Sequence, residues 1–463
     1  ERGNVFGSGG RTTIAIFIGV KDPTRTGPAV IHYRDIGDYL TRDDKLRILD
    51  TDPLPAIDWD TITPNTAGDW INQRDDTFST FPAIGDKKAN PGDVTVFSTF
   101  SAGLQTNRDA WVYNYSRATL EESVQRLITN YNAAVGDFQK YCADNDITKP
   151  KEATVTEFLK TSPTAADPTR IKWARSLRNH AARNRVLETS GEFTIGTYRP
   201  FDKQHVYFDK YLNHERSQLA TIFPTPHHTN IGIVLTAPAS HFEFTPFATR
   251  ELPNLHTLDT GQFFPRYTYR RLDEDAGTLD FSTSAGATDE WGYERVDNIT
   301  DWGLKQFHKA YGKDGRGVPT GAETAAEPGD EASAVVEDHP TPDLRSDPPP
   351  KAEGGRKRRA IGKEDVFHYV YAVLHDPIYR ETYALNLKRD FPRIPFYPDF
   401  WTWAGWGQRL MALHIGYETV PPFAITRTET PDEGARAVHA AIRVRPDRLV
   451  IGAFAGHVVP EIV

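Results

Sequence analysis

The residues with the most distinctive chemical spacing are Asp376, Pro377 and Tyr379, in the stretch LHDPIYRETY. An Asp/Asn-Pro-Pro-Tyr loop at a strand end would stack a flipped base and accept hydrogen bonds from its exocyclic amine. Ile378 stands where that loop has its second proline. Asp is also a preferred N-cap, and Pro is favoured at the first helical position. We therefore predict a helix–turn–helix corner here and not a methylation loop.

A methyltransferase also needs a glycine-rich turn that leads from a strand into a helix, where the backbone can approach S-adenosylmethionine. GSGG (7–10) precedes a predicted strand instead of following one. LVIGAFAG (449–456) follows a predicted strand, but only a short segment comes after it. We therefore expect no catalytic residue and no methyltransferase activity from this chain alone.

Other catalytic and metal patterns are absent from the sequence. The single cysteine, Cys142, excludes a disulfide framework and a cysteine-rich zinc site. His205, His214, His227 and His228 lack a neighbouring carboxylate at metal-binding spacing. There is no G-x-S-x-G and no P-loop motif, and no apolar run is long enough to cross a bilayer.

Two stretches mix basic and amide residues with aromatic residues: QTNRDAWVYNY (105–115) and YRPFDKQHVYFDKYLNHERSQ (198–218). Arg, Lys, Asn and Gln read base edges and hold phosphates. The formal charge of −9 does not exclude nucleic-acid binding, because only the contacting surface must be positive. The alternative is a Tyr/Phe-rich β core whose polar residues face water, and the composition favours neither. The candidate contacts are Gln105, Asn107, Arg108, Arg199, Lys203, Gln204 and Arg216.

The elements that would position these stretches follow from the hydrophobic pattern. Apolar residues at helical spacing predict a long helix over 116–142. Further predicted helices cover 38–49, 171–185, 299–312, 364–375, 377–390 and 399–415. Strand patterns cover 11–20, 29–37, 93–115 and, as strand–turn–strand, 437–463, with a β-rich unit over 193–270. The fold class is therefore α+β.

Several long stretches closely resemble the C-terminal target-recognition (specificity) domain of Type ISP restriction-modification enzymes, which are often labelled predicted helicases. They are FSAGLQTNRDAWVYNYS, TYRPFDKQHVYFDKYLNHERSQLATIFP, FTPFATRELPNLHTLDTGQFFPRYTY, ITDWGLKQF and EDVFHYVYAVLHDPIYRETYALNLKRDFPRIPF. GNVFGSGGRTTIAIFIGVK resembles the last strand region of the adenine-specific methyltransferase domain that precedes the specificity domain. The resemblance covers most of residues 1–425 except 313–360.

The resemblance implies a β-rich specificity domain with several helices, preceded by the terminal strands of an α/β methyltransferase domain. Residues 1–90 would be the end of that domain, and 91–312 the first part of the target-recognition domain. Residues 313–360, rich in Gly, Pro and acidic residues, are predicted to be a disordered insert. Residues 361–463 would be the helical part with a truncated C-terminus.

The function implied is recognition of a specific double-stranded DNA sequence. The module would direct N6-adenine methylation and ATP-dependent cleavage by methyltransferase, helicase-like and nuclease domains upstream in the same polypeptide. S-adenosylmethionine, ATP and Mg are expected for the full-length enzyme and no cofactor for this chain. We expect a cytoplasmic protein without a membrane partner. The alternative is a protein-interaction module of a phage-defence complex.

Overall fold

The computed structural model describes residues 15–38, 40–87, 94–272, 288–317, 319 and 359–421, and three strands beyond them. The chain forms two compact units, Glu1–His414 and Ile415–Val463. Helices and several small sheets alternate along the first unit, so the fold is mixed α+β, as predicted.

The helices are α1 (Arg42–Thr51), α2 (Asp109–Val112), α3 (Arg117–Asp144), α4 (Glu152–Thr161), α5 (Pro163–Ala166), α6 (Arg175–Ala182), α7 (Leu219–Ile222), α8 (Asp301–Tyr311), α9 (Lys363–His375), α10 (Pro377–Thr382), α11 (Ala384–Leu387) and α12 (Phe400–Ile415). The strands of the first unit are β1 (Ile31–Tyr33), β2 (Asp60–Ile62), β3 (Ser101–Ala102), β4 (Tyr113–Asn114), β5 (Glu192–Arg199), β6 (Asp202–Phe208), β7 (Gly232–Leu235), β8 (Pro246–Thr249), β9 (Leu252–Pro253), β10 (Gln262–Pro265), β11 (Tyr267–Arg271) and β12 (Tyr293–Asp297). The second unit contains β13 (Ala440–Val444), β14 (Leu449–Ala453) and β15 (Glu461–Ile462).

Two four-stranded sheets form the centre of the first unit, with strand orders β4-β6-β5-β9 and β3-β10-β7-β8. Leu104 joins them, because it follows β3 and makes a parallel bridge to Asn254, directly after β9. Gly103 permits this close approach, since a Cβ there would lie 2.5 Å from the Asn254 carbonyl oxygen. By contrast, β11 and β12 pair only with each other and form a separate two-stranded sheet.

The long helix α3 organises the larger core. Ser116 caps it by accepting a hydrogen bond from the Thr119 amide at 3.3 Å, and its apolar stripe, including Leu120, Val124 and Leu127, is fully buried. Those side chains pack in one hydrophobic cluster with Val206 of β6. The helix predicted over 116–142 is confirmed, because its pattern, cap and burial all agree locally.

A second core is aromatic and surrounds α9. Phe307 and Tyr311 of α8 pack against Tyr369 of α9 and Phe400 of α12, with Tyr369 and Phe400 stacked at 5.2 Å. Burial raises the pKa of the Tyr369 hydroxyl well above its usual value. That hydroxyl donates to the Pro395 carbonyl at 3.0 Å and accepts from the Tyr397 amide at 2.7 Å.

The corner predicted at 374–383 is confirmed. Asp376 ends α9 and caps α10, accepting a hydrogen bond from the Ile378 amide at 3.1 Å, and Pro377 is the first helical residue. Tyr379 is buried and donates to the Arg393 carbonyl at 2.8 Å. The Asp-Pro-Ile-Tyr sequence therefore turns the chain between two helices and offers no loop for a base.

Five other predictions need correction or completion. The strand predicted over 11–20 is wrong where the structure describes it, because residues 15–20 are exposed coil with no strand partner among the described residues. The helix predicted over 171–185 shortens to α6, and the strand pattern over 93–115 contains the short helix α2. The helix predicted over 377–390 breaks into α10 and α11. The insert predicted over 313–360 lies almost wholly outside the described residues.

Candidate nucleic-acid interface

The turn end of the β5–β6 hairpin carries three of the seven candidate contacts. Arg199 closes the hairpin opposite Asp202, after a register shift that begins at Thr197. Its guanidinium lies 4.1 Å from the centre of the Tyr198 ring and donates to the Tyr198 carbonyl at 2.6 Å. Lys203 pairs with Thr197 across the ladder, and its ammonium lies 3.9 Å from a Glu251 carboxylate.

Gln204, the third residue of this group, belongs to the opposite face of β6 from Lys203, since strand residues alternate. It pairs with Gly196, which leaves its amide beside a residue without a side chain. All three side chains are partly exposed, so they can contact a ligand at the surface.

A second group lies where residues 105–107 meet residues 215–216. Gln105 and Glu215 form an antiparallel bridge with amide-to-carbonyl bonds of 3.0 and 2.9 Å. The Gln105 side-chain amide donates to the Asn107 side-chain oxygen Oδ1 at 3.1 Å, and Asn107 is exposed with φ of 57°. Arg216 is partly exposed, with its guanidinium 5.1 Å from the centre of the Phe208 ring.

Residue Asn254 lies between the two groups. Its backbone amide donates to the Thr197 carbonyl of β5 at 3.0 Å. On its other side, Asn254 forms a parallel bridge with Leu104. The Arg199 guanidinium reaches the Asn254 side-chain oxygen at 3.4 Å. Thus the two candidate stretches, far apart in the sequence, are attached to the same short strand β9.

Arg108 is the exception among the seven candidates, because its side chain is 0% exposed. One guanidinium nitrogen donates to the Leu212 carbonyl, while Nε and Nη2 have no hydrogen-bond partner in the described structure. Burial lowers the pKa of Arg108 to about 10, and the nearby carboxylate of Asp209 opposes that shift. A guanidinium in this position cannot reach a ligand at the surface, so the prediction that Arg108 contacts DNA is replaced by a role inside the core.

A groove of about 660 Å³ opens beside the second group. Gln218 and Thr221 line one side, and Ser98 and Thr99 another. The backbone amide of Gln218 donates to the Ser101 hydroxyl at 3.1 Å. This hydrogen bond connects residues 215–221 to β3. The remaining lining comes from Phe100 and from the β11 residues Thr268, Tyr269, Arg270 and Arg271.

The sequence reading missed these groove residues. One signal in the sequence could have found them. Aromatic and cationic residues occur together on one short strand, at Tyr267, Tyr269, Arg270 and Arg271. A second groove of about 700 Å³ runs along α3. It is lined by Glu121 and Glu122 as well as Arg126, so its charge is mixed and less suited to phosphate.

Within the described residues, no group of three or more His, Cys, Asp or Glu side chains could hold a metal ion. In the same part of the chain, no helix is long and apolar enough to span a membrane. The groove itself presents hydroxyl, amide and guanidinium side chains.

Comparisons with known proteins show one matching family and similar solved structures. The family description "Type ISP C-terminal specificity domain" matches residues 95–455. A nuclease-deletion mutant of the Type ISP restriction-modification enzyme LlaGI, in complex with a DNA substrate mimic, is 29% identical over 94% of this chain, with a TM-score of 0.61. The DrdV–DNA complex is 30% identical over 88% of this chain, with a TM-score of 0.59.

The enzyme LlaBIII, described as an ATP-dependent Type ISP restriction-modification enzyme bound to DNA, shares the fold at 24% identity and a TM-score of 0.60. The matched region is 34% of the LlaGI chain and 32% of the DrdV chain, so this chain spans about a third of their length. No curated protein matches the chain.

Proposed function

This chain belongs to the Type ISP C-terminal specificity domain family, and from that premise we propose that it is a sequence-specific double-stranded DNA recognition module of a restriction-modification enzyme. The observation that carries the proposal is the groove beside β11, where guanidinium, amide and hydroxyl groups converge. These are the groups that bind phosphates and base edges. The similarity to LlaGI and DrdV, both described in complex with DNA or a DNA mimic, supports it.

Within this proposal, cations and amides have different tasks. Arg199, Lys203 and Arg216 hold phosphates, because a cation on a partly exposed surface gains most from the charged backbone. Gln105, Asn107 and Gln204 approach base edges, since side-chain amides can donate and accept at once. The net charge of −9 is compatible with this, because the binding surface is local.

We further propose that this module directs N6-adenine methylation and ATP-dependent cleavage carried out by other domains of a longer polypeptide. S-adenosylmethionine, ATP and Mg²⁺ would act in those domains, and the complex would work in the cytoplasm. The similarity to the Type ISP restriction-modification enzyme LlaGI, of which this chain spans about a third, supports this assignment.

The proposal is tested by fluorescence anisotropy with the 463-residue chain and labelled duplexes of random sequence at low salt. We expect binding whose association constant falls as salt rises, with a slope of about −0.9 per neutralised phosphate in a log–log plot. Binding that does not respond to salt, or no binding at all, would contradict the proposal. A labelled acidic peptide is the control for general attraction to negative charge.

A second candidate function, docking to another protein, is favoured by one observation. Ile16, Phe17, Ile18 and Val20 form an exposed apolar run, with Phe17 74% exposed. Apolar runs of this kind are common at protein contacts. Replacing Arg199 and Arg216 with Ala separates the two functions, because it should weaken DNA binding and leave protein docking unchanged.

A further inference from the structure

The ribbon formed by β11 and β12 is, like β1–β2, a two-stranded sheet without a third described strand. Its five residue pairs run from Tyr267 opposite Asp297 to Arg271 opposite Tyr293. Neither strand forms a ladder with any other described strand. An isolated two-stranded ribbon is marginally stable in water, so other contacts must hold it in place.

The base of the ribbon is fixed by a buried cation. Arg266, directly before β11, donates to Asp297 at 2.6 Å and to Glu364 of α9 at 2.8 Å. The side chain of Arg266 is nearly fully buried, and its ion pairs raise its pKa although burial opposes them. Asn298 adds bonds to the Thr99 and Pro265 carbonyls at 2.8 and 2.7 Å. The base is therefore anchored both to α9 and to the 98–99 wall of the groove.

The turn side of the ribbon is fixed by a histidine. The Asp289 carboxylate accepts from the amides of Trp291 and Tyr293 at 3.0 and 2.9 Å and lies 2.9 Å from Nε2 of His228. His228 is buried and packs edge-on against Tyr269 at 4.6 Å. Both ends of the ribbon are thus held in one position before any ligand arrives.

The arginines of the ribbon lie at its turn end, along the groove. The Arg270 side chain is 64% exposed and donates to Glu294 on the neighbouring strand. Arg271 is also exposed, and no carboxylate of the described residues lies within ion-pair distance of it. Arg295, by contrast, stacks 4.4 Å from the centre of the Tyr267 ring near the base.

We propose that the β11–β12 ribbon enters the major groove of the duplex and that Arg271 and Arg270, which lie on opposite faces of β11, each read a guanine there. This inference rests on the proposed DNA-binding function and names the element that gives it specificity. A two-stranded ribbon, with strands about 4.8 Å apart, fits a major groove about 12 Å wide. Arginine forms two hydrogen bonds to O6 and N7 of guanine, and a fixed backbone keeps those bonds selective.

Gln218 and Thr221, on the opposite wall of the groove, belong to the same contact surface. Glu294 holds the Arg270 guanidinium in a fixed direction through bonds to both Nε and Nη2. An arginine oriented by a carboxylate loses less side-chain freedom when it meets a base. Arg271 has no such brace in the described residues, so it depends on the strand for its position.

The experiment selects bound duplexes from a library with a random core, using the 463-residue chain, and sequences them. The same selection is repeated with Arg271→Ala, Arg270→Ala and the matched control Arg295→Ala. We expect the unchanged chain to enrich a motif that contains guanine. Arg271→Ala should reduce the preference for guanine at one position by about 5- to 150-fold and leave the other positions unchanged. Arg295→Ala should retain the whole motif.

The outcomes separate the inference from the proposed function. If the unchanged chain enriches a motif and both Arg270→Ala and Arg271→Ala retain it, the ribbon does not read bases, although the DNA-binding function stands. A uniform loss of affinity over all sequences, with a shallower salt slope, would identify phosphate contacts and also overturn the inference. If the unchanged chain enriches no sequence, the specific recognition function fails with it. Thermal unfolding of each variant confirms that the fold is retained.

Discussion

The β5–β6 hairpin and the β11–β12 ribbon both combine tyrosines with arginines, but their cations meet different neighbours. In β5–β6, Arg199 stacks on Tyr198 and reaches Asn254. This hairpin is in the interior of a four-stranded sheet that packs with α3. In β11–β12, Arg270 and Arg271 are exposed along a groove, and the ribbon has no further strand beside it.

The difference shows that composition does not distinguish a hairpin inside a larger sheet from a separate two-stranded ribbon. A hairpin inside a sheet is stabilised by its neighbouring strands, and its polar groups are drawn into those contacts. The β11–β12 ribbon has no neighbouring strand in the part of the chain that the structure describes, so its strand edges remain available to a ligand there. The contrast predicts that mutations at the anchors of the ribbon will affect stability, while mutations at its exposed arginines will affect selectivity.

The largest effect is expected from Arg266→Ala at the base of the ribbon. Removing the buried guanidinium takes away the ion-pair partner that Asp297 and Glu364 share. Both carboxylates are partly exposed, so water reduces the free-energy cost of leaving them without that guanidinium. We expect a loss of about 3 kcal/mol in the free energy of unfolding, measured by urea denaturation. Arg266→Lys keeps the charge but cannot bond both carboxylates as the guanidinium does. It should lose less free energy of unfolding than Arg266→Ala. A change below about 0.5 kcal/mol in Arg266→Ala would show that the ribbon has another anchor.

The second effect concerns pH, because the helix that anchors the ribbon carries buried histidines. Burial lowers the pKa of His375 on α9 to about 4 and also lowers that of His368. The unfolded state has a histidine pKa of about 6.5, above that of the folded state. Between about pH 4 and pH 6.5 the unfolded state therefore binds more protons than the folded state. The stabilisation is complete above pH 6.5 and is lost as pH falls towards 4. We expect a decrease of about 2 kcal/mol in the free energy of unfolding from these residues.

The measurement is urea denaturation at several pH values between 7 and 4. His375→Gln keeps an N–H donor for the Tyr371 carbonyl, to which His375 now bonds at 2.9 Å. This variant should have a shallower pH dependence than the unchanged chain. An unchanged slope would show that other groups determine acid sensitivity.

The third effect tests the far end of α9. Asp376→Ala removes the cap on the Ile378 amide and the acceptor for the Tyr397 hydroxyl, which are 3.1 and 3.0 Å away. We expect a loss of about 1–2 kcal/mol in the free energy of unfolding, measured by thermal or urea denaturation. Asp376→Asn, which can still cap, should lose less. The sequence preference for DNA should not change in either variant, since the corner is a structural element.

The smallest effect is expected from the β5–β6 hairpin. Arg199→Gln and Lys203→Gln should each weaken binding of all duplexes alike and reduce the salt slope by about 1. Anisotropy titrations over a salt series measure both quantities. A change in the selected DNA motif in either variant would remove the contrast between the cations of the two hairpins, because Arg199 or Lys203 would then also read bases.

Local features of the sequence predicted much of the fold. Asp376 caps a helix as predicted, and Ser116 and Thr300 also cap helices in the structure, because a cap acts on amides two or three residues away. The 3.6-residue pattern located α3, and the strand-rich character of 193–270 is confirmed by β5 to β11. The strand expected over 11–20 is missing at residues 15–20, because a strand needs a partner that local sequence does not specify.

The sequence by itself determined where several helices lie, the α+β class and the set of polar and aromatic residues available for binding. Only the tertiary structure decided which of them reach the surface. Arg108 and Arg271 are alike in sequence terms, yet one is fully buried and the other is exposed along a groove. The physical reason is that capping and periodicity act within a few residues of the chain. Burial depends on distant segments, such as residue 212 beside Arg108 and α9 behind the ribbon.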